Sequence, residues 1–294
     1  MGNSEYSLTA IIKITNNCNL RCKYCYTPDE AFQGNMNLDI LKRFIYESSK
    51  YIELRDPNNY TFLWHGGEPL LLGLDYFKTI TKIQKEVINN KQYVNLVQSN
   101  ITLLTDEICD YFVENDFKLS TSLDGPEKLH DANRSYKDKR GSFNDVYSKI
   151  QMAKKHGIDI SALLVVNRQN IDMIEELYSF FQNENINCKF SLLTLTGQAL
   201  HNYDHVYIEP DEYADCIIKL YDLWVNDARE SSYVLNLEDL IDSVLRNSPV
   251  ECSHLRNCQR HFFSLSPNGD VYPCGRFQGI ERLCYGNIKE VSLI

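Results

Sequence analysis

The segment Cys18-Asn-Leu-Arg-Cys22-Lys-Tyr-Cys25 places three thiols in one short loop, directly after the apolar run Leu8 to Ile14. The spacing C-x3-C-x2-C lets the three sulfurs converge on one face of a loop leaving a strand. An iron–sulfur cube offers four irons to thiolates, so three cysteines leave one iron without a protein ligand and open to a small molecule. Structural zinc takes two separated ligand pairs that close a tetrahedron, and this compact trio does not supply them. Three unrelated core thiols would account for neither the density nor the position.

The rest of the chain must build a scaffold for that loop. At 294 residues, with 43% hydrophobic and 24% charged residues, it is an ordinary globular sequence of one large domain with an appendage, or of two domains. Neither a secretory signal nor an apolar run long enough to span a membrane is present, which predicts a cytoplasmic protein with no membrane partner. A net charge of −10 gives no basic footprint for nucleic acid. Ten cysteines in such a chain point to metal or redox chemistry rather than disulfides. Cys109, Cys188 and Cys216 sit in apolar patterns and read as core thiols.

Six β-rich runs, Leu8–Thr15, Tyr60–Trp64, Tyr93–Gln98, Phe117–Leu123, Ile158–Val166 and Cys188–Leu195, alternate with amphipathic stretches. The helical stretches are Leu38–Ile52, Leu74–Ile88, Asp106–Glu114, Phe143–His156 and Ile171–Asn185, with Asn37 and Ser142 as N-caps and Gly157 as a left-handed C′ residue. Repeated βα units with right-handed crossovers give a parallel sheet curling into a partial (β/α)6 barrel of the TIM-like kind. Further helices are expected from Pro210 to about Ala228 and over Leu237–Leu245. The site would lie where the βα loops gather, at the C-terminal ends of the strands.

Polar motifs fall at those strand ends. His65-Gly66-Gly67-Glu68-Pro69 follows the second run, Gln98-Ser99-Asn100 the third, and Ser122-Leu123-Asp124-Gly125-Pro126 the fourth. Together with the three-cysteine loop, they resemble the radical S-adenosylmethionine (SAM) enzymes. The resemblance implies that Cys18, Cys22 and Cys25 hold a [4Fe–4S] cluster whose open iron is chelated by SAM, with the usual aromatic residue before the third cysteine supplied by Tyr24. It also implies that Gly66, Gly67 and Glu68 hold the SAM ammonium group and that His65 faces the SAM and substrate pocket. Ser-Leu-Asp-Gly-Pro, then His130-Asp131-Ala132-Asn133-Arg134 and Gly141-Ser142-Phe143, are similar to the peptide- and protein-modifying branch. Ser122, Asp124 and Arg134 thereby become pocket candidates, Arg134 as a bidentate partner for a carboxylate. No catalytic residue is singled out.

The C-terminal region has a second thiol set: Cys252, Cys258, Cys274 and Cys284. Asn268-Gly269, flanked by Phe262–Leu265 and Val271–Tyr272, signals a β-hairpin that would carry Cys274 back toward Cys252 and Cys258. This resembles the first half of a SPASM or twitch extension and implies an auxiliary [4Fe–4S] cluster. Cys284 either completes that site or stays free, and it is taken here as the fourth ligand. The further cysteine-rich segment of SPASM enzymes does not appear before Ile294, so a second auxiliary cluster is not expected. The division expected is a barrel over residues 1–230 and a truncated SPASM/twitch-like region over 231–294.

The resemblance implies reductive SAM cleavage and oxidation or crosslinking of a side chain in a ribosomally made precursor peptide, with an electron donor such as flavodoxin or ferredoxin. Oxidation of a small molecule and a metal-binding protein without turnover are the alternatives. In this resemblance, anaerobic sulfatase-maturating enzymes carry a catalytic Asp after the cysteine matching Cys274; Gly275 stands there instead, which argues against that activity.

Overall fold

Alternating apolar residues and β-branched side chains make each of the six expected runs a strand. In the computed structural model, which describes residues 7–28, 31–55, 57, 59–88, 93–229, 232–249, 255 and 257–293, they are β1 Ser7–Thr15, β2 Asn59–Gly66, β3 Val94–Ser99, β4 Phe117–Ser122, β5 Ile160–Val166 and β6 Asn187–Leu192. All neighbouring pairs among these six are parallel. The intervening helices are α1 Leu38–Arg55, α2 Gly73–Val87, α3 Asp106–Glu114, α4 Glu127–Asn133, α5 Phe143–Lys155 and α6 Ile174–Glu184. After β6 come α7 Gln198–His201, α8 Tyr203–Val206, α9 Pro210–Val225 and α10 Leu235–Leu245.

The strands bury alternate residues against the helices: Ala10, Ile12 and Ile14 of β1, Tyr60, Phe62 and Trp64 of β2, and Ala162, Leu164 and Val166 of β5 all lie in one core. Phe62 stacks on Trp64 at 5.7 Å between ring centroids and meets Phe44 of α1 edge-on at 6.1 Å, fixing α1 over β2. Cys109, Cys188 and Cys216 belong to this core, as their apolar surroundings in the sequence predict. The opposite face of the sheet is more open: Thr61, Leu63 and His65 of β2, and Ser161, Leu163 and Val165 of β5, are all half-buried.

Caps follow the sequence with one exception. Asn37 Oδ1 accepts from the Ile40 amide at 2.9 Å, and Gly157 takes its left-handed conformation at φ +76°. Ser142 does not cap α5. Its hydroxyl donates to the Arg134 carbonyl at 2.9 Å, and Asp131 Oδ1 instead accepts from the Ser142 and Phe143 amides at 2.8 and 2.9 Å. With its hydroxyl turned to the Arg134 carbonyl, Ser142 leaves the first turn of α5 to be held by the Asp131 carboxylate.

The C-terminal hairpin is built into the same sheet. Strands β7 Phe262–Leu265, β8 Asp270–Tyr272 and β9 Gly286–Asn287 extend it in the order β6-β5-β4-β3-β2-β1-β7-β8-β9. β7 runs parallel to β1, pairing Thr9 with Phe262 through Ile12 with Leu265, whereas β7–β8 and β8–β9 are antiparallel. The Asn268-Gly269 turn lies where its sequence places it, with Gly269 at φ +97°. Among the described residues, no helix is long and apolar enough to cross a membrane.

Candidate active site at the strand ends

The three-thiol loop leaves β1 and is gripped from two sides. On one side, Leu20 bridges Tyr136, the Arg21 amide donates to the Ser135 carbonyl at 2.7 Å, and the Lys23 amide donates to the Asn133 carbonyl at 2.9 Å. On the other, the Gln198 amide donates to the Cys25 carbonyl at 2.9 Å, Thr196 Oγ1 to the Tyr26 carbonyl at 2.9 Å, and Asn202 Nδ2 to the Lys23 carbonyl at 3.1 Å. A Cβ on Gly197 would lie 2.3 Å from the Thr27 carbonyl oxygen, so only glycine allows this clamp to close. Thr196-Gly197-Gln198 reads as plain loop in the sequence because its partners lie some 170 residues away.

Cys18, Cys22 and Cys25 are each half-buried, unlike the core thiols. Donors already face two of the sulfurs: the Leu20 amide 3.4 Å and Asn100 Nδ2 3.8 Å from Cys18 Sγ, and Arg134 Nη1 4.0 Å from Cys22 Sγ. Burial pushes the Cys18 thiol up to about 11 and the Cys22 thiol up to about 12, with Cys25 raising both further. Loading iron must therefore expel protons. Among the described residues, no three His, Cys, Asp or Glu side chains close on the geometry of a single metal ion. A cube takes each thiolate on a different iron, so it needs more widely set sulfurs. The half-exposed trio with its N–H donors fits such a cluster.

The Gly66-Gly67 turn packs directly on this loop. The Gly67 amide donates to the Thr15 carbonyl at 2.8 Å and the Glu68 amide to the Asn17 carbonyl at 2.9 Å. A Cβ on Gly66, at φ +149°, would lie 2.0 Å from the Thr15 carbonyl oxygen, and one on Gly67 2.3 Å from that of Asn17. The turn requires glycine because backbone meets backbone there.

Glu68 departs from the expected role. Its side chain is fully buried, Oε1 accepting from the Leu70 amide at 2.9 Å and Ser99 Oγ at 2.7 Å, and Oε2 from the Asn100 amide at 2.7 Å. The carboxylate ties β2 to the end of β3 instead of facing a ligand. Burial, opposed by these hydrogen bonds, pushes it up to about 7. Next to it, Ile101 sits in the left-handed region at φ 52°, a strained place for a β-branched side chain. That kink turns Asn100 so that its backbone reaches Glu68 and its side chain reaches Cys18.

Asp124 and Arg134 also differ from expectation. Arg134 does not wait for a ligand carboxylate: its Nε and Nη2 lie 3.0 and 3.3 Å from the two oxygens of Asp124, and both side chains are buried. The Tyr24 hydroxyl donates to Asp124 Oδ2, and the guanidinium lies over the Tyr24 ring at 5.1 Å. Tyr24, Asp124 and Arg134 thus form a latch between the thiol loop, the end of β4 and the segment after α4. Ser122, half-buried beside it, receives a long 3.4 Å contact from Gln98 Nε2.

His65 faces the more open side of the sheet, edge-on to Tyr26 at 6.0 Å between ring centroids. Burial first, and the charge of Lys13 second, pull its imidazole down to about 4, so it is neutral at physiological pH. Lys13, its cross-strand partner, is fully buried and is absent from the sequence-based candidates because a lone lysine in a strand pattern carries no signal.

In the C-terminal set, Cys252 lies outside the described residues. Cys258 precedes β7, Cys274 follows β8, and both are half-buried. The residue after Cys274, Gly275, packs against Lys13 and Tyr26: a Cβ there would lie 3.5 Å from Lys13 Cε and from the Tyr26 hydroxyl oxygen. Cys284 has other neighbours, its thiol donating to the Gly286 carbonyl oxygen at 3.6 Å and sharing a hydrogen bond with the Tyr272 side chain. His201, at the end of α7, and His205, in α8, are both exposed.

A parallel α/β sheet with a half-exposed thiol trio and a glycine turn at its strand ends defines an iron–sulfur enzyme that binds a small molecule at the cluster. The model of the Radical SAM superfamily matches residues 12–181. The serine-type anaerobic sulfatase-maturating enzyme of Bacteroides thetaiotaomicron is 30% identical, the match covering 94% of this chain and 71% of that protein. The cysteine-type enzyme of Clostridium novyi is also 30% identical, covering 97% and 77%. Among solved structures, native anSMEcpe with bound AdoMet superposes with a TM-score of 0.84 at 24% identity, over 97% of this chain and 79% of that one. Streptococcus suis SuiB bound to S-adenosylmethionine superposes with a TM-score of 0.67 at 14% identity, over 98% and 65%. Both structural likenesses bear on the fold. The chain belongs to the Radical SAM superfamily, and it is an oxidoreductase whose cofactors are a [4Fe–4S] cluster and S-adenosylmethionine.

Proposed function

We propose that the protein oxidises a serine or cysteine side chain of a peptide or protein substrate, serine and cysteine being the two types in the names of its sulfatase-maturating relatives. The observation that carries this reading is the 30% identity to the serine-type enzyme across 94% of this chain. It reverses the ranking suggested by Gly275, whose missing carboxylate argues against sulfatase maturation when the sequence is read alone.

When bound, the cluster supplies an electron to SAM, giving methionine and a 5′-deoxyadenosyl radical that takes a hydrogen atom from substrate. In this reading Cys18, Cys22 and Cys25 hold the cluster, and the Gly66-Gly67 backbone and His65 lie against SAM. The Tyr24–Asp124–Arg134 latch keeps the loop in place, and the sheet acts as a partial barrel whose open face admits the substrate. Cys252, Cys258, Cys274 and Cys284, in the SPASM-like region 231–294, would hold an auxiliary [4Fe–4S] cluster, which would take up the electron left on the substrate carbon after the hydrogen atom is removed, a proton leaving with it. A small redox protein such as flavodoxin or ferredoxin supplies the separate electron that SAM cleavage consumes.

A two-electron oxidation of a serine CH2OH gives an aldehyde. Anaerobically reconstituted protein, incubated with SAM, a reductant and a short peptide bearing one Ser or Cys from a sulfatase maturation site, should yield a hydrazine-reactive peptide. A second reading, oxidative crosslinking within a ribosomally made peptide, is favoured by Gly275. It predicts SAM cleavage with no aldehyde from these peptides. An unreacted peptide alongside productive SAM turnover would therefore overturn the first reading.

A further inference from the structure

Lys13 ranks among the three largest fully buried side chains, with Trp64 and Tyr60, and it is the only charged one of the three. It lies on the face of β1 opposite the apolar core residues Ile12 and Ile14. Its ammonium has little to hold it: Thr27 Oγ1 at a long 3.4 Å and the face of the Tyr26 ring at 4.6 Å. Among the described residues, no carboxylate pairs with it. A buried charge without a counter-ion costs several kcal/mol, so such a lysine persists in a fold when some other negative charge faces it.

The ionisable groups that lie close enough to influence the Lys13 ammonium are two thiols, Cys25 of the first loop and Cys274 beyond β8. The same two act on the Tyr26 hydroxyl. Lys13 and Tyr26 therefore stand where the two thiol-bearing segments come together. This meeting follows from the parallel pairing of β7 with β1, which sets Ser264 beside Ile11 and brings the end of the hairpin toward the thiol loop. A Cβ on Gly275 would meet Lys13 Cε and the Tyr26 hydroxyl oxygen, each at 3.5 Å, which puts the residue after Cys274 against the lysine stem.

We infer that Lys13 is a positioning cation shared by the two thiol segments: its ammonium offsets the negative charge of metal-bound Cys25 and Cys274 and so sets how readily the iron there is reduced. The inference rests on the auxiliary-cluster reading of Cys274. A cluster gains negative charge on reduction, and a fixed cation beside it favours the reduced form. The effect depends on charge more than on shape, so arginine should serve and methionine, of similar length and no charge, should not.

The test is a potentiometric titration of reconstituted wild-type, Lys13→Arg and Lys13→Met proteins, followed by electron paramagnetic resonance and iron analysis. For Lys13→Met, the reduced-to-oxidised ratio at a fixed potential should fall about tenfold, equal to about 59 mV for one electron, while Lys13→Arg stays close to wild type. Loss of iron from Lys13→Met alone would also support the need for charge. Equal potentials in all three fully loaded proteins, or loss of iron from both variants, would overturn the inference. Wild-type protein holding iron for a single cube would instead remove the auxiliary reading, and Lys13 would then be judged on the potential of the Cys25 cube alone.

Discussion

The Arg134 guanidinium and the Asp124 carboxylate form a buried two-point pair, Nε to Oδ2 at 3.0 Å and Nη2 to Oδ1 at 3.3 Å. Asp124 also takes the Tyr24 hydroxyl and the Val165 amide, so one carboxylate connects the thiol loop, β4, β5 and the segment after α4.

Breaking that pair from one side should be costly. Asp124→Leu leaves a buried guanidinium with no counter-charge, and the loss should be about 3–5 kcal/mol in denaturant unfolding. Adding Arg134→Met to it should restore a large part of that loss. If the double variant is no more stable than Asp124→Leu alone, the two side chains are not coupled as described.

Glu68 makes a prediction with a sign. Its pKa is raised by burial to about 7 from an ordinary value of 4.5, so the folded state holds the proton more tightly than the unfolded one. The stability this contributes is complete below pH 4.5 and is lost as pH rises through about 7. Thermal unfolding of the wild type should therefore fall across that window, and Glu68→Gln should flatten the fall. The substitution also turns an amide group toward the Asn100 N–H, costing about 1–3 kcal/mol at neutral pH. A variant with wild-type stability and the wild-type pH profile would return Glu68 to the role of a free anion awaiting ligand.

Gly67→Ala tests the contact between the glycine turn and the thiol loop. The new methyl would lie 2.3 and 2.6 Å from the carbonyl oxygens of Asn17 and Asn16, both of them backbone. The loop must shift, and the iron held after reconstitution should drop well below wild type while far-ultraviolet circular dichroism stays close to it. Full iron loading would show that the loop tolerates the displacement.

Period-2 runs, glycine positions and thiol spacing carry much of this arrangement, because they are local. All six parallel strands lie within a few residues of their expected bounds, and the Asn268-Gly269 hairpin forms where expected. What the sequence could not disclose depends on distant partners. Glu68, Asp124 and Arg134 are marked by their motifs, yet whether each faces a ligand or another side chain is decided by which strand ends adjoin. Lys13 acquires its surroundings only once β7 lies beside β1, some 250 residues further along the chain. The Gly197 clamp on the thiol loop is hidden for the same reason.

Following one hydrogen atom tests the proposed side-chain oxidation most directly. A peptide with a single serine deuterated at Cβ is incubated anaerobically with the reconstituted protein, SAM and reductant, and the 5′-deoxyadenosine formed is analysed by mass spectrometry, with a Cys18→Ala/Cys22→Ala/Cys25→Ala protein as control. Deuterium should appear in the 5′-deoxyadenosine from the wild type, and the control should give no 5′-deoxyadenosine. 5′-Deoxyadenosine without deuterium, beside an oxidised peptide, or SAM cleavage undiminished in the control, would contradict the proposal.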